Sequence, residues 1–238
     1  MPIILAIETS SELASCALLS GDTLLARASS GVRTHSQSIL PMVQELLAEA
    51  GIALRDCDAI AFGSGPGSFT GVRTACGIAQ GLAFGASLPV VPIVTLDAMA
   101  EACRQQTGAA DVLAVLDARM GEVYWAQYHH TDAGGWQQVV PPSLCAPDDV
   151  APLPTAAPLA ACGNGFSAYP DSFAGRDFAA GALAEVMPHA SQVAQLARIE
   201  LAAGRSVSAA EAQPLYLRNK IAFTSAERQV INAAKAAA

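Results

Sequence analysis

Apolar and polar positions alternate in short blocks from the start of the chain. Residues 2–8 form an apolar run that stops at Thr9-Ser10-Ser11, and residues 14–20 and 23–29 form two more, parted by Gly21-Asp22. Short runs separated by a glycine–aspartate pair predict three consecutive antiparallel strands. The period then changes. Ile39, Leu40, Met42, Val43, Leu46, Leu47 and Ala50 recur at helical spacing, with Gln44, Glu45 and Glu49 between them. They predict a helix capped by Ser36 or Ser38, with Pro41 in its first turn and Gly51 at its end. Its apolar arc spans roughly 160°, broader than a simple core stripe.

Asp58–Gly63 predicts a strand that opens into the loop Gly63-Ser64-Gly65-Pro66-Gly67-Ser68. A second helix over about Thr70–Phe84, a strand at Leu88–Val94 and a helix at Leu96–Gln106 follow, and Thr107-Gly108 breaks the chain. A second unit repeats part of this order. It has strands at Asp111–Asp117 and Glu122–His130, a turn at Gly134-Gly135 into Gln137–Val140, and a proline-rich loop over 141–158 with one helical turn at Pro147–Val150. A strand at Leu159–Cys162 and an amphipathic helix over His189–Ala203, ended by Gly204, complete it. Hairpin strands followed by strand–helix units mean α/β layering. The expected division is 1–108, 109–220 and a tail at 221–238.

The second helix bears most on function. Beyond Arg73, only Thr74 and Gln80 are polar between residues 74 and 85. A helix apolar all round needs cover all round, and one sheet covers one side. Gly77, Gly81 and Gly85 recur every four residues on one face, each costing about 1 kcal/mol of helix propensity relative to Ala. Close approach of another backbone would offset that cost. The ridge lies either on the protein's own sheet or on a helix from elsewhere. Together with the wide apolar arc of the first helix, it points to a helical docking face for a partner chain or a second copy.

Composition narrows the classes. Apolar residues are 52% and charged residues 14%, which excludes a disordered chain. So little charge leaves a surface that a partner would help to cover. The net charge of −8, with 11 scattered Arg and 2 Lys, argues against this chain gripping nucleic acid alone. Cys16, Cys57, Cys76, Cys103, Cys145 and Cys162 contain no C-x-x-C pair and read as inert thiols of a reducing compartment. The N-terminal run lacks a basic region and meets Glu8 early, unlike a signal peptide. Thr74–Leu96 is uncharged, but its glycines and prolines predict helix, break and strand rather than a membrane span.

The reactive inventory is thin. The loop Gly63–Gly71 sits where a helix N-terminus could hold an anion, yet it lacks a P-loop lysine and the dinucleotide spacing, so a tight structural turn is expected. His129 and His130 are adjacent and point to opposite faces of a strand. His35 and His189 stand at helix starts, as caps or surface residues. No G-x-S-x-G elbow occurs, and Cys76 lies in an apolar helix that disfavours its thiolate. Asp97, Asp117 and Glu122 lie near strand ends without an acid–base spacing.

The segments ILAIETSSELASCALL, THSQSILPMVQELL, GSGPGSFTGVRTACGIAQGLAFG, DARMGEVYWAQY and PLYLRN resemble the bacterial TsaB family, also called YeaZ. The resemblance is dense over 3–128 and returns at 214–219. It implies an actin-like/sugar-kinase-like (ASKHA) fold of two related α/β subdomains. It also implies a cytoplasmic, non-catalytic subunit in the making of tRNA threonylcarbamoyladenosine, beside the anticodon. Such a subunit pairs with the catalytic paralogue TsaD, is joined by a TsaE-like ATPase, meets tRNA only through the complex, and forms a homodimer when alone. The family's contact uses the first two helices, which gives Ile39, Leu40, Val43, Leu47, Val72, Cys76 and Gln80 as expected partner residues. TsaD-like chains carry a metal-binding H-x-x-x-H pair where Thr95 and Met99 stand, and kinase relatives carry Asp where Glu8 stands, so no metal, cofactor or catalytic residue is expected. The alternatives are a glycoprotease-like peptidase or a small-molecule kinase of the same superfamily.

Overall fold

A computed structural model describes residues 1–30 and 35–218. The first sheet holds β1 (Ile3–Glu8), β2 (Leu13–Ser20), β3 (Thr23–Ser30), β4 (Ala59–Gly65) and β5 (Val90–Val94) in the order β3-β2-β1-β4-β5. β1, β2 and β3 pair antiparallel, as the hairpin signal predicts, and β1, β4 and β5 pair parallel. Successive side chains of a strand point to opposite faces. Leu5 and Ile7 therefore meet α1 (His35–Ala50) and α2 (Phe69–Ala86), while Ile4 and Ala6 meet α6 (Ala190–Ala202) on the other face. Both faces are covered, which is why β1 reads as an unbroken apolar run. In the cluster under α6, eight of fourteen buried residues are alanine, so helix and sheet backbones approach closely.

The second sheet holds β6 (Asp111–Arg119), β7 (Glu122–Thr131), β8 (Gly135–Cys145) and β9 (Leu159–Cys162) in the order β8-β7-β6-β9. β6 and β7 are antiparallel and β6 and β9 parallel, so the order β3-β2-β1-β4 of the first sheet recurs with the same directions. Between the sheets runs α3 (Thr95–Thr107), with Ala98 in the α6-side cluster and Leu96, Met99 and Cys103 in the core under the second sheet. α4 (Gly165–Ala168) and α5 (Pro170–Phe173) are short helices that the sequence pattern does not signal.

Three expectations change. Pro41 is the seventh residue of α1 rather than in its first turn, tolerated on the exposed side, and residues 31–34 ahead of the helix lie outside the described residues. β8 runs through Pro141-Pro142, expected as loop. It is an edge strand, and the two prolines sit where its pairing skips from Val140 to Ser143, so no ladder hydrogen bond is lost. Finally, α6 returns from the second half to the back of the first sheet, where the Ala190 N–H donates to Ser15 Oγ at 2.9 Å. Gly108 thus divides the sheets but not the helices. The tail at 221–238 lies outside the described residues.

Candidate functional site

Two regions stand out: the cleft between the sheets and the outer face of α2. Both grow from the segment that follows β4.

The cleft has a volume of about 400 Å³ and is lined by the β1–β2 turn (Ser10–Glu12), the loop into α2 (Gly67–Gly71) and the β6–β7 turn (Asp117–Met120). Several polar groups in and behind it are engaged within the chain. Glu8, at the end of β1, is fully buried; Oε1 accepts from the Ser10 N–H at 2.5 Å, and Oε2 has no partner among the described residues. A Cβ on Gly63 would lie 1.8 Å from that Oε2, so the missing side chain makes the hole that the carboxyl fills. Burial pushes the Glu8 carboxyl above its ordinary range, and hydrogen bonds from Ser10, Thr9 and Thr95 offset this only in part. Asp117 is held by the Tyr169 hydroxyl at 3.0 Å, the Arg119 N–H at 2.8 Å and the Arg119 guanidinium at 3.1 Å. The same guanidinium reaches Glu12 across the cleft.

The glycine-rich loop is packed backbone to backbone. The Ser68 N–H donates to Ser10 O at 2.7 Å, the Gly71 N–H to Ser68 Oγ at 3.3 Å, and the Thr9 hydroxyl to Gly71 O at 2.7 Å. A Cβ at Gly67 or Gly71 would lie 2.5 Å or 1.9 Å from a carbonyl oxygen of the β1–β2 turn. The loop is a structural turn. Thr95 and Met99, which the resemblance sets against a metal-binding pair, are both buried. Thr95 Oγ1 accepts from the Gly65 N–H and donates to Ser10 Oγ, while Met99 packs against Gly163. His189 caps α6, its Nδ1 accepting from the Ser191 N–H at 3.1 Å, so this serine–histidine contact belongs to a helix end. His129 binds Asp111 and His130 packs on Trp136.

The outer face of α2 is the opposite case. Val72, Ala75, Cys76, Ala79 and Ala83 are buried on the sheet. Gly77, Gly81 and Gly85 face away, and a Cβ on any of them would meet nothing within 4 Å. The ridge therefore does not lie on the protein's own sheet. Phe84 beside it is 82% exposed, and Ile78 and Leu82 are half-buried. On α1, Leu40 is 45% exposed.

The expected partner residues separate accordingly. Leu40 is exposed, and Leu47 and Gln80 are half-buried. Ile39, Val43, Val72 and Cys76 point into the core, none more than 4% exposed, and are not available to a second chain. The 72–76–80 series lies one residue, about 100°, from the open 73–77–81–85 series. Gln80 is engaged inward, where its Nε2 donates at 2.9 Å to Ala212 O and holds a strap that continues through the Leu215 N–H to Ser64 O at 2.7 Å. Burial raises the Cys76 thiol above its ordinary range, in keeping with an inert residue. The expected set leaves out the open residues Arg73, Gly77, Gly81, Phe84 and Gly85, of which the three glycines are the ridge that the spacing marks.

Two mixed sheets with a repeated strand order, joined by a helix beneath a cleft, define a protein of the actin-like, sugar-kinase-like class. In that class the cleft serves a nucleotide and its metal. The residues here do not fit that group: Glu8 is sealed under Gly63, Asp117 is tied to Arg119, and the Ser68 and Gly71 N–H groups are taken. A protein-family model described as TsaD, tRNA N6-adenosine threonylcarbamoyltransferase, matches residues 20–235. Two proteins named tRNA threonylcarbamoyladenosine biosynthesis protein TsaB are each 40% identical: that of Haemophilus influenzae over 92% of this chain and 95% of its own, and that of Escherichia coli K12 over 92% and 96%. The solved structure of YeaZ from Pseudomonas aeruginosa superposes with a TM-score of 0.84 at 41% identity, covering 91% of this chain and all of that one. The chain belongs to the TsaB (YeaZ) family of tRNA threonylcarbamoyladenosine biosynthesis. Among the described residues no helix is long and apolar enough to cross a membrane.

Proposed function

We propose that this chain is the non-catalytic, activating subunit of the threonylcarbamoyl-transferring complex. It docks the catalytic TsaD-like paralogue on the outer faces of α1 and α2. A TsaE-like ATPase joins the pair, and tRNA is met only through the assembly. The carrying observation is the open glycine ridge of α2 next to exposed Phe84, with Leu40 exposed on α1. Three glycines in a helix are unfavourable unless a backbone comes close, and none does among the described residues. The proposed surface comprises Leu40 and Leu47 from α1 and Arg73, Gly77, Gly81, Phe84 and Gly85 from α2. Alone, the chain would use the same face on a second copy.

The test is reconstitution of the tRNA modification from the TsaD-like protein, the TsaE-like ATPase, tRNA and the carbamoylated threonine donor, with and without this chain. Modification is expected only with the chain present, and the chain alone should transfer nothing. Full modification without it, or turnover by the chain alone, would overturn the reading. Because the Ser191–His189 contact is a helix cap, a peptidase reading has no geometric support in that pair.

A further inference from the structure

Arg73 is the one charged residue of α2, whose sequence is FTGVRTACGIAQGLAFGA. It stands four residues before Gly77, at the head of the open stripe, and is itself exposed. The side chain is not left to wander. Its guanidinium carbon lies 3.6 Å from the centre of the Phe69 ring and 5.4 Å from that of Tyr216, and its Nε–H donates to the Tyr216 hydroxyl at 2.7 Å. Phe69 comes from the first turn of α2 and Tyr216 from the strap that Gln80 and Ser64 hold down. Two elements thus fix one guanidinium, and its two terminal nitrogens remain without a carboxylate among the described residues. A guanidinium pre-set in this way gives up little freedom on binding a planar carboxylate through two parallel hydrogen bonds.

The rest of the stripe says what must answer it. A chain lying along Gly77, Gly81 and Gly85 would take Arg73 out of water, and a cation desolvated without a counter-charge opposes binding. A second copy of this chain supplies no acid from α2, and on α1 its Glu45 and Glu49 are both paired with Arg27. Charge complementarity therefore favours a different chain. Resting on the partner reading above, we propose that Arg73, gripped by Phe69 and Tyr216, takes an aspartate or glutamate of the transferase paralogue. That contact selects the paralogue over self-association.

The experiment titrates the full chain with the TsaD-like paralogue at low and high salt. Arg73→Gln should weaken binding about 30-fold and flatten its salt dependence, and Arg73→Glu should weaken it further. Tyr216→Phe, which removes only the hydroxyl, should weaken it about threefold through a less fixed guanidinium. Reversal of one acidic residue of the paralogue to Arg should restore binding to Arg73→Glu. Self-association of the chain should not fall in Arg73→Gln. Because Arg73 is exposed, each variant should melt as the wild type does, which separates a binding loss from misfolding. Wild-type affinity and salt slope in Arg73→Gln would overturn this inference and leave the partner reading standing. No binding by the wild type would overturn both.

Discussion

The cleft and the outer face of α2 use the same residue type for opposite reasons. Gly63, Gly67 and Gly71 are glycines because a Cβ on any of them would lie 2.5 Å or less from Glu8 or from the β1–β2 turn. Gly77, Gly81 and Gly85, a few residues on, would tolerate a Cβ without touching anything. The fold accounts fully for the first three and not at all for the second three. Residues that weaken their own helix and serve no contact among the described residues are what the proposed partner surface would account for. In the actin-like class the cleft is the natural place to look for function. Here Glu8 is sealed and Asp117 and Glu12 pair with Arg119, while the three glycines that the fold leaves unexplained lie outside it.

The comparison breaks first on the inner side. Gly71→Ala should cost about 4 kcal/mol or more, because the new Cβ meets the Thr9 carbonyl at 1.9 Å and backbone on both sides must move. Cys76→Arg belongs with it. On the sequence alone that change would be a probe of pairing, but Cys76 is 4% exposed beneath α2, and a buried unpaired guanidinium costs several kcal/mol. Denaturant titration should find both variants largely unfolded or with sharply lowered midpoints. A wild-type midpoint in either would show that α2 is seated differently.

Asp97 tests the inward-turned acids by titration. It lies in the first turn of α3, its Oδ1 buried without a hydrogen-bond partner among the described residues. Burial pushes its carboxyl up to about 6, Tyr128 and Gln138 beside it offset this in part, and Glu200 on α6 adds to it. The folded state therefore holds its proton more tightly than the unfolded chain. Stability from this group is fully present below about pH 4 and is lost as pH rises through about 6. The shift corresponds to at most about 3 kcal/mol. Asp97→Asn should be more stable than the wild type at neutral pH, with the gain vanishing near pH 4. Glu8 slopes the same way and the depressed His130 and His189 the other, so the difference between the two curves isolates Asp97. Parallel curves would remove the burial argument.

Most of the scaffold was readable in the sequence, because both sheets and the long helices obey their periods and end at glycines such as Gly51 and Gly204. The β6–β7 hairpin, α6 and the 3-10 turn at Pro147–Asp149 fall where expected. The passage of β8 through Pro141-Pro142 was not readable, since only an edge position makes it possible, and edges are set by pairing. The proposed docking face was half readable. The glycine ridge showed in the spacing, but a helix apolar on every side offers no polar stripe to fix which face turns outward. Choosing Val72 and Cys76 in place of Arg73 and Gly77 is a rotation of one residue. What fixes the rotation is Gly71 against Thr9, Val72 against Gly65 and Cys76 against Ala212, the first and last of them contacts between residues far apart in the chain.

The finest test lies on the outer face, where the two consequences of one substitution have opposite signs. Gly81→Ala adds a Cβ into open space in the middle of a helix. The unfolded chain loses freedom and the helix gains propensity, so stability should rise by about 0.5–1 kcal/mol. The same methyl would stand between α2 and any backbone lying on it, so affinity for the paralogue should fall although the subunit is firmer. A thermal melt and a binding titration on one preparation read both signs. Higher stability with weaker binding would place the partner on the glycine face. Higher stability with unchanged binding would move it elsewhere on the subunit, and lower stability would mean that the ridge is packed after all.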